Sequence, residues 1–150
     1  MAQFSWQSSR TILSLHEMLE SASQPVYVPQ PWPSEFEPPE FSLVGESTSR
    51  WRITSNHAIH KHIFLAVFSS NPNPQINEYA EGIYVAGLGR MGWLQARRRC
   101  ISSSPSREHR SPLSHISLTL PMDNPQWVTI EMPYSQIVRI VELAGSLAQI

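Results

Sequence analysis

Six arginines crowd between positions 90 and 110: Arg90, Arg97, Arg98, Arg99, Arg107 and Arg110, with Glu108 as the single acid among them. Guanidinium groups at this density neutralise phosphates, whether of nucleic acid or of anionic lipid headgroups. Trp93, close by, supplies an indole that stacks on a base or sits at a membrane interface. The competing reading is a solvated basic turn that pairs with acids elsewhere in the chain. Serines 102–104 and 106 lie inside the stretch, and phosphorylating them would lower its positive potential directly.

Three other patterns have the residue types for chemistry. Gly87-Leu88-Gly89-Arg90-Met91-Gly92 satisfies the dinucleotide fingerprint, with a strand-like Ile-Tyr-Val-Ala before it and Glu108 about 20 residues beyond. Its surroundings disagree: Glu108 lies in a serine- and proline-rich loop, and only 58 residues follow Gly92. A glycine-bearing turn between a strand and a short helix is the expected structure there. His57, His60 and His62 have a spacing that suits a transition metal, but no cysteine or carboxylate lies near them in sequence. Polar residues leading into a buried strand are the favoured reading. Cys100 follows three arginines, which favours a thiolate, yet no acid or histidine partner is identifiable. The expectation is a non-enzymatic protein with no catalytic group, no cofactor and no metal.

Composition bounds the rest. The 150 residues suit one domain, or one domain with an arm; 41% are hydrophobic and 15% charged. No stretch approaches the ~18 apolar residues of a membrane-spanning helix, and no secretory leader is visible. The single cysteine excludes an internal disulfide framework and fits a reducing compartment. The net charge of −1 conceals a division. Residues 1–46 carry one base against six acids, residues 47–112 nine bases against three acids, and residues 113–150 one base against three acids. The middle of the chain should therefore project a positive potential.

These residues need elements to hold them. Ile12, Leu15 and Leu19 recur at helical spacing and predict a helix over 9–23, capped by Ser8 or Ser9. Six of the 13 prolines fall between Pro25 and Pro39, which predicts an extended, exposed arm ending near Phe41. Alternation around Trp51 and Ile53 and the apolar run Ile63–Phe68 predict strands. Ile116–Leu120 and Trp127–Met132 predict an antiparallel hairpin with a wide turn. Ile83–Ala86 reads as a strand, Met91–Cys100 as a short helix, and Ser102–Pro112 as a loop. Pro133–Ile150 reads as the best helix, with Ile137, Ile140, Val141, Ala144, Leu147 and Ala148 on one face. The predicted fold is α+β: a twisted, mainly antiparallel sheet packed by a C-terminal helix over 41–150, preceded by an N-terminal helix and proline-rich arm over 1–40.

Pro38-Pro39-Glu40-Phe41 resembles the Pro-Pro-x-Tyr late-domain motif near the start of many negative-strand RNA virus matrix proteins, with Phe41 where that family has tyrosine. The order of an acidic, proline-rich segment followed by an α+β domain resembles rhabdovirus matrix proteins. So do Ile83-Tyr84-Val85-Ala86-Gly87-Leu88-Gly89-Arg90 and the two later strands, over roughly residues 36–132. The resemblance implies a structural protein of the virion, found in host cytoplasm and at the inner face of the plasma membrane. It implies self-association, contact with an anionic membrane surface and with the nucleocapsid or its RNA, and a WW-domain host partner for residues 38–41. Phosphate, lipid or RNA contact would fall to Arg90, Trp93, Arg97, Arg98, Arg99, Arg107 and Arg110. The charge division suggests that an acidic arm of one copy pairs with the basic middle of the next. The second reading of the same basic stretch is a small RNA-binding accessory protein, such as a silencing suppressor or movement factor.

Overall fold

A computed structural model describes residues 10–44, 50–70, 76–98, 113–123 and 126–150. The chain is mixed α/β, dominated by an antiparallel sheet and covered by a C-terminal helix. In order, the elements are β1 (Arg10–Leu13), α1 (Leu15–Ser21), β2 (Tyr27–Pro29), β3 (Glu40–Val44), β4 (Trp51–Asn56) and β5 (Phe64–Ser70). They continue with β6 (Glu81–Val85), β7 (Arg90–Arg98), β8 (Leu113–Pro121), β9 (Trp127–Pro133), α2 (Ile137–Gly145) and β10 (Leu147–Gln149). Eight strands form one sheet in the order β1-β3-β4-β5-β9-β8-β7-β6, and β2 pairs with β10 in a separate two-stranded ribbon.

Period-two alternation gives this sheet two unlike faces. Phe41, Ile53, Val67, Ile130, Leu118 and Leu94 stand opposite one another in a row across six strands, and most are fully buried. The next row on the other face reads Ser42, Arg52, Phe68, Thr129, Thr119, Trp93 and Gly82. Its hydroxyls bond to one another, Thr119 to Thr129 at 3.1 Å and Ser70 to Thr129 at 2.7 Å. The Arg52 guanidinium lies 5.0 Å from the centre of the Phe68 ring. Thus the first face is the apolar core, and the second is polar although much of it is buried.

The core face needs a cover, and α2 with the proline-rich segment supplies it. Ile140, Leu143 and Ala144 of the helix are buried in the same cluster as Val26, Tyr27, Val28 and Phe36. The expected exposed arm is therefore corrected. Prolines do keep residues 25–39 extended, but hydrophobic side chains between them seat the segment on the domain. The Pro25 carbonyl accepts from the Trp51 indole at 3.0 Å and from the Gln126 side-chain amide at 2.7 Å. Farther along, Phe36 bridges His57, and the Ala58 amide donates to the Glu35 carbonyl. No boundary at residue 40 divides the buried cluster.

Two helices also differ from expectation. The first is a short strand followed by one capped helix: Ser14 accepts from the Glu17 amide, and Glu17 returns a bond to the Ser14 amide. That reciprocal box starts the helix five or six residues later than Ser8 or Ser9 would. Glu17 consequently sits in the first turn, where its carboxylate is favoured and its pKa is lowered mainly by the Ser14 backbone bond. The C-terminal helix stops at Gly145, and Leu147 and Ala148 leave it to form β10. The segment 91–98, predicted helical, is instead strand β7, whose neighbours on both sides satisfy its backbone. Strand β4 and the β8–β9 hairpin fall where alternation placed them, and β5 falls on the continuous apolar run. No helix among the described residues is long and apolar enough to cross a membrane.

One ion pair fastens the proline-rich segment to α2. Arg139 donates through Nε and Nη2 to the two carboxylate oxygens of Glu35, at 2.8 and 3.0 Å. The Arg139 hydrogen bonds hold the Glu35 carboxyl below its ordinary range, and Glu35 in turn raises Arg139. A depressed carboxyl stabilises the fold above its unfolded pKa and loses that contribution as pH falls through the folded value. Glu35→Gln should cost about 1 kcal/mol at neutral pH, because both groups are only partly shielded from water. The deficit, read from chemical denaturation, should shrink below the carboxylate range near pH ~4; a deficit unchanged in acid would contradict the role of the charge.

Candidate interaction surface

Strand β6 ends the sheet: among the described residues it pairs with β7 alone. The chain then turns through residues 86–89, where the Leu88 and Gly89 amides both donate to the Val85 carbonyl at 3.0 and 2.8 Å. Gly89 has φ of 69°, a left-handed conformation that an L side chain adopts only with strain. The glycine-rich fingerprint is thus the tip of a β-hairpin. A dinucleotide site needs a helix N-terminus after the loop to meet the pyrophosphate, and here strand β7 follows. The predicted turn is present, but it leads into a strand and not a short helix.

This hairpin reaches the end of α2. A methyl group added at Gly87 would run into the Gly145 carbonyl, so the two backbones touch where no side chain intervenes. The contact holds α2 alongside β6 and leaves an open groove of about 870 Å³ between them. Ile83, Val85, Leu94, Ile137, Val138 and Val141 give it an apolar lining, with Glu142 at its rim. In this groove Val138 is 71% exposed and Ile137 is exposed too, while the exposed Tyr84 and Met91 side chains stand together on the other face of the β6–β7 hairpin. An apolar strip beside unpaired strand backbone is a surface suited to another chain.

Of the residues predicted to contact phosphates, two whose side chains are described, Arg90 and Trp93, stand on opposite faces of β7. Arg90 is half-buried and donates to the Pro121 carbonyl at 2.8 Å, so it fastens the β6–β7 hairpin to the end of β8. Trp93 lies three positions on, on the opposite face of β7, where its ring floors the space above Gly82. Arg97 and Arg98 end β7, at an irregularity in its pairing with β8. Arg99, Cys100, Arg107 and Arg110 lie outside the described residues, as do the serines among them.

The late-domain-like residues are divided as well. Pro38 and Glu40 are exposed and Pro39 is half-buried, but Phe41 is inside β3, opposite Ile53, and packs against the core. A groove that reads this motif would have to draw Phe41 out of the sheet. Two acids just before the motif are engaged: Glu35 by Arg139, and Glu37 by Lys61 at 2.7 Å. The histidines form a turn before β5, with ring centres 5.0 Å apart for His57 and His60 and 6.2 Å for His60 and His62. His57 Nδ1 accepts from the amides of Ile59 and His60, which commits that nitrogen to the turn. Among the described residues no group of three histidine, cysteine or carboxylate side chains is placed to hold a metal.

The groove was not singled out by sequence, although one signal was available. Val138 adds an apolar residue beside the stripe of Ile137, Ile140, Val141 and Ala144, more than a single buried face requires. No family model, curated protein or solved structure matches the chain.

If the glycine contact sets the groove, Gly87→Ala should destabilise the protein by about 1–3 kcal/mol, since backbone must move. Gly145→Ala is the control. Its added methyl would meet nothing closer than 3.6 Å, so it should leave Tm unchanged or slightly raised. Equal losses in both variants, measured by thermal melting, would contradict the close approach.

Proposed function

We propose that this chain is a non-enzymatic structural protein of viral matrix type, which associates with copies of itself and coats an anionic surface. The exposed apolar strip along β6 and α2 is the observation that carries this reading. Burying one such strip against another removes apolar area from water on both copies, the main source of association energy. It also changes the expected basis of assembly. Glu35 and Glu37 are engaged within the chain, which leaves fewer acids of the arm to face the basic middle of another copy and gives the apolar strip the larger share.

The basic residues take a separate part in the proposal. Arg97 and Arg98 at the end of β7, with Arg99 next in sequence, supply the positive charge for a phosphate-bearing surface, either the inner membrane leaflet or the nucleocapsid. A WW-domain partner is left out, because Phe41 is held in β3.

These two surfaces should respond to salt in opposite ways. Apolar association persists or strengthens as salt rises, whereas attachment to phosphates weakens. Sedimentation velocity should show concentration-dependent association that survives high salt and is lost in Val138→Glu. Flotation with anionic liposomes should fall with salt and with alanine at positions 97–99. A wild-type protein that stays monomeric at every concentration and salt would overturn the proposal. RNA binding without liposome binding would move the basic stretch to the accessory-protein reading.

A further inference from the structure

We infer that β6 pairs with β6 of a second copy, antiparallel about a two-fold axis at Ile83, so that the sheets of two copies become one. This rests on the self-association proposed above and adds its geometry. The inference comes from the way five residues complement themselves. Turning Glu81-Gly82-Ile83-Tyr84-Val85 end for end about Ile83 sets Gly82 opposite Tyr84 of the second copy, and Glu81 opposite its Val85.

On the polar face this match is one of shape. Gly82 is exposed and lacks a side chain, with the Trp93 ring 3.0 Å and the Met91 methyl 3.1 Å from where a Cβ would lie. Tyr84, on the same face of the strand, is large and exposed. The Trp93 ring already lies over Gly82 as an aromatic partner to the glycine, and in the paired arrangement each Tyr84 enters the same row of the other copy and packs against that ring. The pairing occurs twice by symmetry, which an isologous contact requires.

On the core face the two Ile83 side chains meet at the axis, beside the exposed Ile137 and Val138 of each groove. Glu81 of one copy then falls in the row of Val85 and Arg90 of the other. A carboxylate that would otherwise end an apolar row thereby falls in line with a guanidinium whose Nη1 bond to the neutral Pro121 carbonyl leaves its charge unbalanced. A charged residue on an edge strand normally discourages pairing. Here its position makes one register better than its neighbours. An unrelated peptide added to β6 would gain the same backbone bonds but neither the Gly82–Tyr84 match nor the Glu81–Arg90 alignment.

The test places one cysteine at the axis. In a Cys100→Ser background, Ile83→Cys puts the two thiols opposite each other, within reach of a short bismaleimide. Ile59→Cys, at a position 77% exposed and remote from the edge, serves as the control. Covalent dimer should form at least tenfold faster at position 83 than at 59, and Tyr84→Lys in the same chain should abolish the difference while circular dichroism confirms folding. Cross-linking no faster at 83 than at 59, with association intact by sedimentation, would overturn this inference and leave self-association standing. Failure of the wild-type protein to associate at all would remove both.

Discussion

An antiparallel sheet with one apolar face must have that face covered, and its last strand, β6, has backbone groups with no strand partner beyond β7 among the described residues. Both constraints converge on α2. The helix lies over the core face, held at one side by the Arg139–Glu35 ion pair and at its end by the contact of Gly145 with Gly87. From Ser146 the chain turns back as β10 to pair with β2, so the last residues secure the proline-rich segment beside it. The Ile150 amide completes this return by donating to the Val26 carbonyl. What the cover leaves bare is the strip between α2 and β6.

Much of the sheet was legible because alternation reports a half-buried strand directly. Trp51 and Ile53 and the pair Ile116–Leu120 and Trp127–Met132 lie in strands for that reason, while the run to Phe68 was legible as a continuous apolar, β-branched and aromatic stretch. Residues 91–98 misled because Met-Gly-Trp-Leu-Gln-Ala carries no clear alternation, and Leu, Gln and Ala favour helices. The pairing of β7 with β6 and β8 overrode that preference. The proline-rich segment misled for a different reason. Proline forbids helix and weakens sheet, which correctly makes the backbone extended, but it says nothing of burial. Val26, Tyr27 and Phe36, placed between prolines, decided that.

The candidate site was legible only in its parts. Glycine spacing at 87, 89 and 92 reads as a phosphate loop, yet each glycine answers a packing demand: Gly87 admits Gly145, Gly89 makes the turn, and Gly92 leaves room for Leu118 and Leu120. The arginines drew attention as a cluster in sequence, but strand geometry puts Arg90 and Trp93 on opposite faces. Charge counted along a chain does not reveal which groups already have partners, and Arg90, Glu35 and Glu37 do. Exposed apolar residues on neighbouring elements form a surface only once the fold brings them together.

In the proposed assembly, copies of this chain meet at the β6 edge. Hydrogen–deuterium exchange across residues 81–85, compared between dilute and concentrated protein, addresses it most directly. The account predicts that the outward-facing amides of β6 gain protection at concentrations where the protein associates, while those of β4, in the middle of the sheet, do not change. Association without any added protection in β6 would contradict it.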